Sequence, residues 1–221
     1  MAKTITVKGT GRVSAAPDTV EITVTLESRS KDYDKATEQA ADRIDKLTDA
    51  LVSAGFEEGG IKTTSFNVNT EYEYVHDDTG RNRREFVGYM CMHVVMLRFP
   101  MDTERLAKAI AAITGSGVQP MLNIAFTVKD GEAVRDRLLC DAAANARSKA
   151  EILCRAAGTE LGELVSINYH WEDRGMYSPT AYGMADECCA GGVAKTALRA
   201  VNIAPQDIEM SDTAVFVWEI K

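Results

Sequence analysis

No apolar run in this chain approaches the roughly 18 residues a membrane-spanning helix needs. No basic excess marks it for nucleic acid: 25 Lys and Arg stand against 33 Asp and Glu, a net charge of -8 with a pI near 5.0. The five cysteines fall at 91, 140, 154, 188 and 189. Their spacing fits no zinc module, and their odd number excludes a fully paired disulfide framework. The pair Gly9 and Gly11 lacks the third glycine of a dinucleotide loop and sits inside a strand pattern, so it reads as a bulge or a close backbone approach. No catalytic constellation is found. The chain therefore reads as a non-enzyme, with no catalytic residue, cofactor or metal set expected. Its opening, MAKTITVKGTG, enters a strand pattern at once without the apolar segment and cleavage site of a signal peptide. A cytoplasmic location is expected for the chain as given, and a periplasmic or surface location if a leader has been trimmed.

The 45% hydrophobic and 26% charged residues are those of a globular protein with an ordinary core. The longest convincing helix runs from about 130 to 157. Asp130 is its expected N-cap, Glu132 suits the dipole in the first turn, and Gly158 ends it. Val134, Leu138, Ala142, Ala146, Ala150, Leu153 and Ala157 recur at steps of three or four and predict its inner stripe. Cys140, Ala143, Arg147 and Cys154 form a second stripe, less polar than a free surface. Cys140 and Cys154 are four helical turns apart, roughly 21 Å, so they cannot bridge each other. Thiols away from a core face favour a reducing compartment.

Residues 4–14 and 19–29 alternate as strands and predict a hairpin across Ala16-Pro17-Asp18. A helix over 33–54 follows, then a strand from Ile61 to Tyr74. The tip HDDTGRNRR reads as a plain polar turn rather than a calcium loop or an anion grip. Phe86 to Phe99 is apolar on both faces, which predicts a strand lying between layers or against a partner chain. Its methionines suit an adaptable contact surface. Met90, Cys91, Met92 and His93 cannot converge on a metal, because neighbours in a strand point to opposite faces. A short helix over 103–114 and strands over 121–128, 161–167 and 206–221 complete the pattern. His170, alone at a strand end, reads as a structural or exposed residue. Residues 172–204 show no period and are expected to form a long loop or an arm. Strand groups separated by helices predict an α+β fold, with largely antiparallel sheets packed against a few helices. One domain over 1–221 is expected, with a repeated helix-glycine-strand pattern hinting at two related half-units.

Several segments together resemble the SIMPL-domain family. They are ITVKGTGRVSAAPDTVEITV, GFEEGGIKTTSFNVNTEYEY, FVGYMCMHVVM, LNIAFTV, AAANARSKAEILCRAAGTELGELVSI and QDIEMSDTAVFVWEI, in that order along nearly the whole chain. The resemblance implies an α+β domain and bacterial relatives of the periplasmic immunogenic or oxidative-stress-defence type. One such relative assembles into a ring-like, channel-shaped oligomer, and an animal relative gives the family its link to kinase signalling. The family brings no agreed catalytic residues. The leading expectation is a non-enzymatic, self-assembling interaction protein in envelope or stress physiology. Its partner is a further copy of itself, with no nucleic acid and no membrane span. Candidate oligomer contacts are Met90, Met92, Met96, Cys140, Arg147 and Cys154. The alternatives are a redox protein using the thiols Cys188 and Cys189, or a small-ligand binder.

Overall fold

The structure is a computed structural model that describes residues 3–76, 82–170, 175–180, 182–184 and 204–221. The fold is α+β, and it divides into two compact units interleaved along the chain.

The first unit holds Met1–Asp18, Thr127–Pro179 and Pro205–Lys221. Its three-stranded sheet has the order β1 (Thr4–Ala15), β8 (Ile208–Ile220), β6 (Leu161–Tyr169), and both ladders are antiparallel. The helix α3 (Gly131–Ala156) packs mainly on β1 and β8. Asp130 caps it by accepting from the Ala133 N–H at 2.9 Å. At the other end Gly158 adopts φ +70°, which lets its N–H reach Arg155 O and the Thr159 N–H reach Cys154 O. Val134, Leu138, Ala142, Ala146, Ala150 and Cys154 are buried. The stripe thus keeps a step of four to its end. Leu153, expected inside, is 52% exposed, and Cys154, expected off the core face, is buried.

Gly9 and Gly11 explain why that stripe is made of alanine. A Cβ on Gly9 would lie 2.1 Å from Ala142 O, and one on Gly11 would lie 2.0 Å from Leu138 O. Strand backbone and helix backbone are in direct contact, as the close-approach reading expected. The same helix seals the outer edge of β1. Asp141 Oδ2 accepts from the Arg12 N–H at 2.8 Å, Asn145 Oδ1 accepts from the Thr10 N–H at 3.1 Å, and Lys149 Nζ donates to Lys8 O at 3.1 Å. These residues recur every four positions, so one helical row serves three backbone groups of one strand.

The second unit holds Thr19–Phe126 with the described residues of 180–204. Its five-stranded sheet has the order β3 (Ile61–His76), β4 (Asn82–Pro100), β2 (Thr19–Ser30), β5 (Met121–Thr127), β7 (Tyr182–Met184). The helices α1 (Tyr33–Ser53) and α2 (Thr103–Gly115) are capped by Asp32 and Asp102. They join one face of the sheet in a core that includes Ile22, Leu26, Leu47, Val95, Ile110 and Phe126.

The expected hairpin of 4–14 with 19–29 does not form. β1 pairs with β8, while β2 pairs with β4 and lies next to β5. The intervening Ala16-Pro17-Asp18 is a crossover, not a tight turn. The Asp18 N–H donates to Thr127 O, and Asp18 Oδ1 accepts from the Lys129 N–H at 2.7 Å. Within 172–204, the short strand Tyr182–Met184 pairs with β5, and a bridge joins Tyr177 to Thr127.

Candidate functional site

β4 runs between β2 and β3 with two unlike faces. Cys91, His93, Val95, Leu97 and Phe99 point to the helices and are buried. Met90, Met92, Val94 and Met96 lie on the opposite face and are half-buried. The expectation of a strand enclosed on both sides therefore holds fully for one face only. Alternation along the strand keeps the methionines together and separates them from Cys91 and His93, so the four do not converge.

The methionine row is bordered on both sides by polar residues. Cross-strand neighbours on β2 are Thr23 opposite Met96, Thr25 opposite Val94, Glu27 opposite Met92 and Arg29 opposite Met90. On β3, Asn67 lies opposite Met92 and Asn69 opposite Met90. Ion pairs close the two ends. Arg98 Nη2 meets the buried Glu21 carboxylate at 2.7 Å. Arg29 meets both Glu27 and Glu71 at 3.1 Å, and its Nη2 lies 3.5 Å from Met90 Sδ. The strip is therefore apolar along its middle and charged or hydrogen-bonding along its border. Thioether side chains in its middle adapt their shape to what covers them.

The helix-facing side of β4 carries one titratable imidazole. His93 is buried, and its Nε2 lies 2.9 Å from Thr63 Oγ1. The Phe66 ring meets its imidazole edge-on at 5.2 Å between centroids. Among the described residues His93 Nδ1 has no partner, nor has the buried Ser28 Oγ on β2. Burial lowers the His93 pKa from its ordinary value and raises that of the Cys91 thiol. Strand alternation in the sequence separated His93 from the methionines but carried no sign of its missing partner. At the outer end of the same sheet, Tyr33, Tyr89, Phe86 and Tyr72 form a chain of edge-on ring contacts, with Arg84 3.8 Å above the Tyr72 ring.

Cys140 and Arg147 are exposed on α3, and Arg147 pairs with Glu151 at 3.1 Å in an ordinary solvated i,i+4 arrangement. Cys154 is enclosed by its own chain. The structure therefore brings together Met90, Met92 and Met96 on one face of β4. Cys188 and Cys189 lie outside the described residues, as does the tip 77–81. His170 is exposed. Among the described residues no group of three His, Cys, Asp or Glu is placed to hold a metal, and no helix is long and apolar enough to cross a membrane.

Comparison with known proteins gives relatives of modest identity. The chain is 26% identical over 164 residues to the 26 kDa periplasmic immunogenic protein of Brucella melitensis, covering 74% of this chain and 65% of that protein. It is 23% identical over 166 residues to the uncharacterized protein YggE of Escherichia coli K12, covering 75% of this chain and again 65% of the relative. The chain thus spans a little under two thirds of the length of these curated relatives. A family model described as "SIMPL: Protein of unknown function (DUF541)" matches residues 5–218, and the chain belongs to that family.

Proposed function

We propose that this chain is a non-enzymatic interaction protein that assembles with copies of itself through the methionine strip of β4. The observation carrying this reading is the half-buried row Met90, Met92, Val94 and Met96, framed by the Glu21–Arg98 and Glu27–Arg29–Glu71 ion pairs. An apolar centre inside a polar rim excludes water from its middle when a second surface closes on it. Cys140 and Arg147 have no comparable setting, so the contact is assigned to β4 alone. Light scattering on the purified chain tests the reading. A mass of two or more chains is expected, falling in Met92→Lys because a cation replaces a thioether at the centre of the contact. A monomer at every accessible concentration sinks the proposal.

An envelope location fits the name of the Brucella relative better than it fits the cytoplasmic expectation from free thiols. Cys91 and Cys154 are buried, which limits their access to oxidant in either compartment. Cell fractionation decides the point: recovery in the cytosolic fraction alone counts against the envelope.

A further inference from the structure

Ser28 of β2 and His93 of β4 lie deep in the five-stranded unit, at 2% and 9% exposure. Among the described residues Ser28 Oγ and His93 Nδ1 have no hydrogen-bond partner. Buried polar groups are almost always satisfied, and leaving two orphaned is costly. The register sets these two side by side. Leu26 stands opposite His93 and Ser28 opposite Cys91, so Ser28 and His93 are diagonal neighbours on one face of adjacent strands. The other ring nitrogen is already engaged, with Nε2 2.9 Å from Thr63 Oγ1 on β3. β3 and β2 flank β4 on opposite sides. The two ring nitrogens diverge, so a ring whose Nε2 points to β3 turns Nδ1 toward β2.

We propose that one buried water joins Ser28 Oγ to His93 Nδ1, completing a hydrogen-bonded chain from β2 through β4 to β3. Cβ atoms of diagonal neighbours stand roughly 6–7 Å apart. A serine hydroxyl and an imidazole nitrogen reach only part of that way, and the gap that remains suits two hydrogen bonds through one oxygen. Water both donates and accepts, so it satisfies a serine hydroxyl and either tautomer of the imidazole. The Cys91 thiol, opposite Ser28 and fully buried, offers a third and weaker partner. Buried waters make about three such contacts. α1 packs on β2 and β4, and the buried residues of its first two turns are Ala36 and Ala40. Their methyl groups bring no polar atom and take little volume. A metal ion fits less well, because among the described residues no third His, Cys, Asp or Glu stands with Cys91 and His93. The water keeps a buried imidazole fully hydrogen-bonded and ties three strands together through their side chains.

A high-resolution crystal structure of the full chain tests this directly. A single peak of oxygen weight is expected within roughly 2.7–3.2 Å of both Ser28 Oγ and His93 Nδ1. No peak between them, or a peak that touches only one, overturns the proposal. So does a peak heavier than oxygen at about 2.3 Å from the Cys91 sulfur, which marks a metal ion. Urea unfolding at pH 7.5 of Ser28→Ala, His93→Phe and the double variant supplies the solution counterpart. Each single change is expected to lower the midpoint. The double variant is expected to lose clearly less than the two losses combined, because the bridge breaks only once. Additive losses show that the two residues are not linked and overturn the proposal. If a variant fails to fold, the structure of the unsubstituted chain decides alone.

Discussion

Between α3 and β1 the facing residues are Ala142 and Ala146 against Gly9 and Gly11, with backbone touching backbone. In the five-stranded unit Leu47 and Leu51 of α1 share a cluster with Ile22, Leu26, Val95 and Leu97, and the layers are held apart by large side chains. The first interface has no room to gain an atom, and the second has none to lose. One gains its strength from close approach and hydrogen bonds at the strand edge, the other from apolar area removed from water. The difference shows that a short alanine stripe and a broad leucine stripe are not weaker and stronger versions of one device.

The sharpest way to break this contrast is to add volume to the first unit. Gly11→Val places a side chain where the Leu138 carbonyl stands, and neither backbone can step aside without losing its ladder. A destabilisation of about 4 kcal/mol or more is expected, at the upper end for single substitutions. Urea denaturation followed by the fluorescence of Trp218, which is buried in this unit, measures it. A change under ~1 kcal/mol would mean that α3 lifts off freely and that the close approach is not what holds it.

Removing volume from the second unit is the complementary experiment. Leu47 is fully buried, and Leu47→Ala should cost about 3 kcal/mol through lost transfer energy and a residual cavity. The loss should appear first in amide exchange of α1 and β2. If it spreads equally to β1 and β8, the two units unfold as one and the contrast loses its energetic meaning.

The smallest expected effect concerns His93, a buried polar group on the helix-facing side of β4. Burial lowers its pKa in the folded chain, so the unfolded chain binds the proton more readily. Stability from this group is fully present above the unfolded value near 6.5, and is lost as pH falls from there through the lowered folded value. Comparing the urea midpoints of the unsubstituted chain and His93→Gln at pH 7.5 and pH 5.5 isolates it from the carboxylates. The unsubstituted chain should lose more than the variant on acidification. Equal losses would show that His93 keeps its solution behaviour.

Much of this was legible in the residues. The cap at Asp130 sits at its helix start, and the α3 stripe fails only in its last turn. There the choice between Leu153 and Cys154 depends on how the helix axis crosses the strands, which hydropathy does not encode. The glycine pair announced a close approach, but not its partner. The β1–β2 hairpin was misread because alternation marks a strand without marking its neighbour, and the true neighbour, β8, lies about two hundred residues away. The methionine strip was legible as a two-faced strand. Its rim was not, since Glu21, Arg98, Arg29 and Glu71 come from three strands whose register only the fold supplies. The edge caps Asp141, Asn145 and Lys149 look like any solvated helical row until β1 is laid beside them.

The ladder from Thr4 opposite Glu219 to Ala15 opposite Ile208 also sets an order of events. During synthesis, β2 to β5 with α1 and α2 are all available once Phe126 has emerged, so the larger unit has nearly all its parts early. β1, made first, has no strand partner until β8 follows at the far end, and α3 has only half a platform until then. A ribosome pausing in 127–207 would therefore hold a chain with one formed unit and one exposed, alternating strand. Pairings this distant in sequence are closed slowly, and β1 spends that interval as the chain's most vulnerable edge.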